Sequence, residues 1–179
     1  MSHNDFHSDD ERQKGVRDAI LAPLFYQQRS PGRFVFMDRG RLADVLQRRM
    51  AVDTVLQARD GRVVSIEEKI VRWPGYDYSA YCLETESCTV PGHESPGWMR
   101  YGQADYLLYC FQQADDSLNC HLIDFPKLRS WFAPVETTFP IFQMPTRNRT
   151  RGRKVPISAV RVAVGVVAFN LSLPAMAAA

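Results

Sequence analysis

A chain of 179 residues suits one domain of mixed structure. At 45% hydrophobic and 23% charged, it has material for a packed core and is unlike a disordered segment. The net charge of +2 does not by itself point to nucleic acid, yet 18 of the 22 basic residues are arginine; its planar donor fork suits phosphates and carboxylates, and a GC-rich genome produces the same bias.

The segment Met1–Glu11 is polar and acidic and reads as no signal peptide. Within it, Ser8–Glu11 has the S-x-x-E form of a capping box that opens a helix. Val16, Ala19 and Ile20 follow at helical spacing, and Pro23 is expected to end the run. After the S-P-G turn near Gly32, Arg33–Met37 reads as a short strand. Asp38 caps a second helix over about 39–49, with Leu42, Val45 and Leu46 on its apolar face. A hairpin follows, Ala51–Ala58 and Arg62–Arg72 around Asp60-Gly61. Ser79–Ser87 forms a third strand, Thr89–Gly97 a loop, and Trp98–Gln103 a short helix. The dense apolar run Ala104–Phe111 is a buried central strand, and Leu118–Asp124 is another. Asp124 and Pro126 open a helix carrying Leu128, Trp131 and Phe132. The order implies an α+β or α/β sandwich around a mixed sheet.

The segment 162–179 carries no charge and nears the lower length of a membrane span, but Asn170, Ser172 and Pro174 interrupt it. We expect no membrane span. A last strand at about 160–168 should close a single domain, 1–168, followed by an apolar tail, 169–179. Cys82, Cys88, Cys110 and Cys120 form no CxxC pair, and His93 and His121 complete no ligand set with them. No zinc is therefore expected; reduced, buried thiols in a cytoplasmic protein are.

The chemistry concentrates in the hairpin. Asp53 falls in its first strand; Glu67 and Lys69, two apart in the second, share a face. Two carboxylates can hold Mg²⁺, with a backbone carbonyl and waters completing its octahedron. The metal neutralises phosphate charge, and a nearby lysine orients water or stabilises the transition state. An acid followed by (D/E)-x-K on the adjacent strand, here Asp53 and Glu67-Glu68-Lys69, resembles the PD-(D/E)XK nuclease superfamily, in its phage and mobile-element forms. The resemblance spans about 38–111 and departs from the pattern at Val52, where the motif name carries proline. It implies a restriction-endonuclease-like mixed sheet flanked by helices. It implies a Mg²⁺-dependent endonuclease (Mn²⁺ substituting) acting on DNA, with a homodimer expected. Asp53, Glu67 and the Glu68 carbonyl would be the metal ligands and Lys69 the catalytic cation.

Register decides whether this works. If 59–61 is a three-residue loop with Gly61 left-handed, Asp53 lies opposite Glu67; if Asp60-Gly61 is a two-residue turn, Asp53 faces Glu68. The sequence leaves both open. Glu84 or Glu86 on the third strand offers a further metal ligand or a solvated face, and Glu11 a further acid or a cap. Trp98, Arg100 and Tyr101 contact nucleic acid or form a packed aromatic patch. Arg147, Arg149, Arg151 and Arg153 track phosphates or form a solvated basic loop. Asp105 reads as structural. The competing functions are a catalytically inactive nuclease-like domain that binds nucleic acid or protein, and an α+β interaction domain whose spacing is accidental. The last predicts Asp53, Glu67 and Lys69 scattered in space; the nuclease reading predicts them within about 4–6 Å of a common point.

Overall fold

The computed structural model describes residues 11, 13–29, 33–36, 45–47, 49–58, 60–72, 78–144 and 148–172. The chain opens with helix α1, Arg17–Tyr26 continuing as Gln27–Arg29, and strand β1, Phe34–Phe36. Residues 45–47 and 49–50 are helical. Then come β2 (Thr54–Gln57), β3 (Val63–Val71), β4 (Ala80–Cys88), β5 (Ser95–Pro96) and helix α2 (Trp98–Tyr101). β6 (Tyr106–Gln112), β7 (Leu118–Asp124), helix α3 (Phe125–Val135) and a 3₁₀ turn at Glu136–Thr138 follow. The chain continues as β8 (Ile141–Gln143), β9 (Arg151–Pro156), helix α4 (Ile157–Ala163) and β10 (Val167–Leu171).

Two sheets form. One has six strands in the order β1-β2-β3-β6-β7-β10, the other four in the order β5-β4-β9-β8. The fold is mixed α+β, and the large sheet is mixed because β3 and β6 run parallel while its other neighbours are antiparallel. A parallel pair needs a crossover; here β4, β5 and α2 make it. Asp105 fixes the start of that pair, accepting from the amide and hydroxyl of Ser65, both at 2.8 Å. β6 is buried on both faces, as its unbroken apolar run requires.

Each face of the large sheet buries its own core. On one, Ile66, Ile70, Leu108, Cys110, Leu118 and Cys120 pack against Ile20, Leu21, Phe25 and Tyr26 of α1. On the other, Leu107, Tyr109, Phe111 and Ile123 meet Tyr81 and Leu83 of β4, Val155 of β9, Val160 of α4 and the inner face of α3. Polar ties cross the second interface: Tyr81 Oη lies 2.7 Å from His121 Nδ1, and the Cys82 amide donates to Tyr109 Oη at 3.2 Å. Asp124 caps α3 by accepting from the Lys127 amide at 2.8 Å.

The architecture corrects the sequence reading in several places. The third strand leaves the hairpin's sheet and builds a second one, so the large sheet has a helix on one face and a smaller sheet with helices on the other. The helix does not stop at Pro23. Its turns are π-helical, with the Gln27 amide donating to the Ala22 carbonyl five residues back, a wider turn that accommodates the ring. Arg151–Pro156 is a strand rather than a basic loop, and Ser95–Pro96 pairs with β4. The expected strand at 160–168 is replaced by α4 and then β10, which runs to Leu171, inside the segment read as tail. Residues 173–179 lie outside the described residues, as do Ser8 and most of the second helix. No described helix is long and apolar enough to cross a membrane. None of the four cysteines is in a disulfide; Cys110 and Cys120 are buried, whereas Cys82 and Cys88 are partly exposed.

Gly152 sets the approach of β9 to its neighbours. It pairs with Glu84 on one side and Phe142 on the other. A Cβ there would run into the Leu83 carbonyl oxygen and the Phe142 ring. Gly152→Ala should therefore cost about 1–3 kcal/mol, as overpacking does. Urea denaturation measures it, and an unchanged midpoint would contradict the close approach.

Candidate active site

The β2–β3 pairing runs Thr54↔Ile66, Val55↔Ser65, Leu56↔Val64 and Gln57↔Val63. This is the three-residue register. Gly61 takes φ +85°, its amide donates to the Ala58 carbonyl at 2.9 Å, and the Ala58 amide donates to the Arg62 carbonyl at 2.8 Å. Upstream, the helical residues 45–47 and 49–50 lead to Ala51 at φ +49°, with the Ala51 amide donating to the Gln47 carbonyl at 3.1 Å. That left-handed cap usually falls to glycine. It swings the chain from helix into strand within two residues and delivers Asp53 opposite Glu67.

The Asp53 carboxylate is held at both oxygens. Oδ2 accepts from the Glu68 amide at 2.8 Å and Oδ1 from Gln47 Nε2 at 3.3 Å. Glu67 hydrogen-bonds the same carboxylate, and its Oε1 lies 2.5 Å from Lys69 Nζ. The Glu67 side chain is 4% exposed and that of Lys69 32%, so the lysine stands at the opening and the acid beneath it. Burial, together with the charge of Asp53, pushes the Glu67 carboxyl up to about 8. Burial disfavours the Lys69 ammonium, but the charges of Glu67 and Asp53 outweigh it and hold its pKa above the ordinary lysine value. Two carboxyls in contact share one ammonium, so when both are ionised the site is short of positive charge.

Asp53, Glu67 and Lys69 are thus gathered, not scattered. Glu84 of β4 faces them closely enough to act electrostatically on Lys69 and accepts a hydrogen bond from Ser87 at Oε1. Among the described residues, no three His, Cys, Asp or Glu side chains are grouped to hold a metal. The expected set fits within that limit, because it takes two carboxylates and one backbone carbonyl. The side chain of Glu68 belongs to the opposite face: it is buried against α1, where burial and the charge of Asp53 push its carboxyl up to about 7.

The remaining candidates divide. Trp98 is 3% exposed and cannot stack on a base; its ring carries Lys69 Nζ at 5.3 Å from the centroid and packs on Phe125 at 5.7 Å. Tyr101 is half-buried. Burial first, then the charge of Glu67, raises its pKa, which places the phenol beside the acids. Arg129 of α3 fixes this helix by donating to the carbonyls of Met99 at 2.9 Å, Arg100 at 2.6 Å and Gly102. Arg100 is committed to Glu136 at 2.7 Å, Arg153 also reaches Glu136 at 3.7 Å, and Arg151 pairs with Glu86 at 3.1 Å. A concavity of about 420 Å³ lies between Thr85, Glu86, Arg100 and Arg151. Arg149 is exposed, Arg147 lies outside the described residues, and Glu11 is exposed. Sequence reasoning missed Gln47, whose link to Asp53 spans a helix end.

Compared with protein-family models, curated proteins and solved structures, the chain matches none of them significantly.

The acid pair predicts a pH dependence. Glu67 and Glu68 have folded pKa values of about 8 and about 7, raised from the ordinary carboxylate range. The folded chain then holds protons that the unfolded chain releases above about pH 4.3. Their stabilising contribution is complete below that and is lost as pH rises through the folded values. In EDTA, the unfolding temperature should fall between about pH 5 and about pH 8. Glu67→Gln, neutral throughout, should flatten part of that slope; an identical slope would show Glu67 already ionised in the fold.

Proposed function

We propose that this chain is a Mg²⁺-dependent endonuclease that hydrolyses DNA phosphodiester bonds, on a fold of the restriction-endonuclease-like, PD-(D/E)XK kind. One observation carries the reading: two contacting carboxyls, Asp53 and Glu67, come from adjacent strands with the Lys69 ammonium on the same face. The three residues answer the chemical demands of phosphodiester hydrolysis, which needs an anion-binding cation and a positioned water.

When bound, a divalent cation supplies charge neutralisation and a Lewis acid. Asp53, Glu67 and the Glu68 carbonyl would hold it. Asp53 arrives preset, because Gln47 and the Glu68 amide already fix its oxygens. Lys69, freed from Glu67, turns its ammonium toward the water and the phosphoryl oxygens, where it orients the one and stabilises charge on the other. Trp98 beneath limits how far that ammonium can wander. Tyr101, whose phenol feels the charge of Glu67, would meet the sugar-phosphate backbone or a base. A homodimer would supply one such site for each strand of a duplex.

Purified protein incubated with linear, supercoiled and branched DNA should cleave in Mg²⁺ or Mn²⁺ and not in EDTA. Lys69→Ala and Asp53→Ala, with folding checked by circular dichroism, should each lower kcat about 100- to 10,000-fold. Cleavage surviving both substitutions would sink the assignment. A wild type that binds DNA across a salt series without cleaving it would favour an inactive binding domain instead.

A further inference from the structure

Glu68 stands between the two catalytic candidates of β3, so strand alternation sends its side chain to the other face. There it enters an apolar layer of Ile66, Ile70, Leu108 and Cys110 roofed by Leu21 and Phe25 of α1. A leucine or isoleucine would fill such a position without the desolvation cost of a carboxylate. The carboxylate is instead fully engaged on one oxygen. Tyr26 Oη and Thr54 Oγ1 both donate to Glu68 Oε1, each at 2.5 Å. Arg17, 4% exposed on the same helix as Tyr26, adds a favourable positive charge, its guanidinium lying over Phe36 at 4.3 Å.

The opposite side of the same residue reaches the site. The Glu68 amide donates to Asp53 Oδ2 at 2.8 Å. Asp53 and Thr54, consecutive residues, therefore clasp Glu68 from both faces of the sheet, one at its amide and the other at its carboxylate. The ring of bonds is closed: the Asp53 carboxylate, the Glu68 amide, the Glu68 carboxylate, the Thr54 hydroxyl and the backbone back to Asp53. Rotating Glu68 out of place breaks both ends.

We propose that Glu68 is a positioning residue of the acid pair, holding Asp53 through its own backbone amide while Tyr26 and Thr54 anchor its side chain. Helix α1 thereby becomes part of the support of the site, from the face the substrate never touches. The catalytic consequence rests on the nuclease reading above; the mechanical link does not. Partners that orient ligands from behind are worth about 10- to 100-fold in metal affinity or activity.

The test uses the isosteric substitutions Tyr26→Phe and Thr54→Val, singly and together. The amide proton shift of Glu68 and the carboxyl carbon shift of Asp53, both by NMR, report the link itself. Mn²⁺ affinity by electron paramagnetic resonance and the kcat and KM of cleavage report its consequence. The double variant should move both NMR signals, weaken Mn²⁺ binding and lower kcat about 10- to 100-fold, with KM for DNA unchanged. If the double variant fails to fold, the two single variants carry the same comparison at smaller amplitude. Folded variants that lose thermal stability, yet keep both NMR signals, Mn²⁺ affinity and kcat, would overturn the proposal and leave Glu68 a core residue. A wild type that neither binds Mn²⁺ nor cleaves, while the NMR signals still move, would remove the nuclease reading and leave the link standing.

Discussion

The pairing of Thr54 with Ile66 is the constraint on which everything else in the site depends. It places Asp53 opposite Glu67, and the pleat then separates the three residues of the E-E-K run. Glu67 and Lys69 turn toward the second sheet, Glu68 toward α1. A slip of one residue would exchange the faces and bury the lysine under the helix. The loop enforces the register locally, through Gly61 at positive φ and the paired amides around it. The Glu68 bonds to Tyr26 and Thr54 enforce it again from behind. Register and chemistry are therefore fixed by overlapping sets of contacts.

The second sheet is what turns a hairpin face into a site. A bare strand face would leave Glu67 and Lys69 as a solvated ion pair, worth little to stability. β4 and α2 cover them instead, with Glu84, Trp98 and Tyr101 closing around the acids. Burial strengthens the field between the charges and makes their repulsion harder to screen. Arg129 extends the support outward by tying the carbonyl end of α2 to α3. The position of Lys69 thus depends on a chain of contacts that ends about sixty residues away in sequence, with every link between rigid elements.

Much of this was legible in the sequence because it is local. Strand alternation gave the shared face of Glu67 and Lys69. The D-G turn gave the hairpin, and the apolar run from 104 gave the central strand that became β6. What the sequence left open was partner choice. A third strand after a hairpin reads the same whether it joins that sheet or starts another, and β4 starts another. Arg151-Gly152-Arg153-Lys154 looks like a basic loop because its strand character resides in pairing on both sides and in the space Gly152 leaves. Trp98 and Arg100 resemble surface binding residues until packing shows one buried and the other bound to Glu136. Glu68 read as the middle letter of a motif; only the tertiary contact with Tyr26, 42 residues away, exposes its role.

The electrostatic balance of the site follows from its burial. Asp53 and Glu67 press two carboxyls together with one ammonium beside them, and burial together with the charge of Asp53 disfavours ionisation of Glu67. Lys69 satisfies Glu67 at the cost of being drawn down onto it. On the nuclease proposal, Asp53, Glu67 and the Glu68 carbonyl would hold a divalent cation that supplies the missing positive charge, and Lys69, its side chain one-third exposed at the opening, would remain as the cation facing outward. The neighbouring arginines cannot take that part, because Arg100 and Arg153 are held by Glu136 and Arg151 by Glu86. Pairing them with acids keeps the positive field of this face modest and leaves Lys69 as the ammonium beside the acid pair.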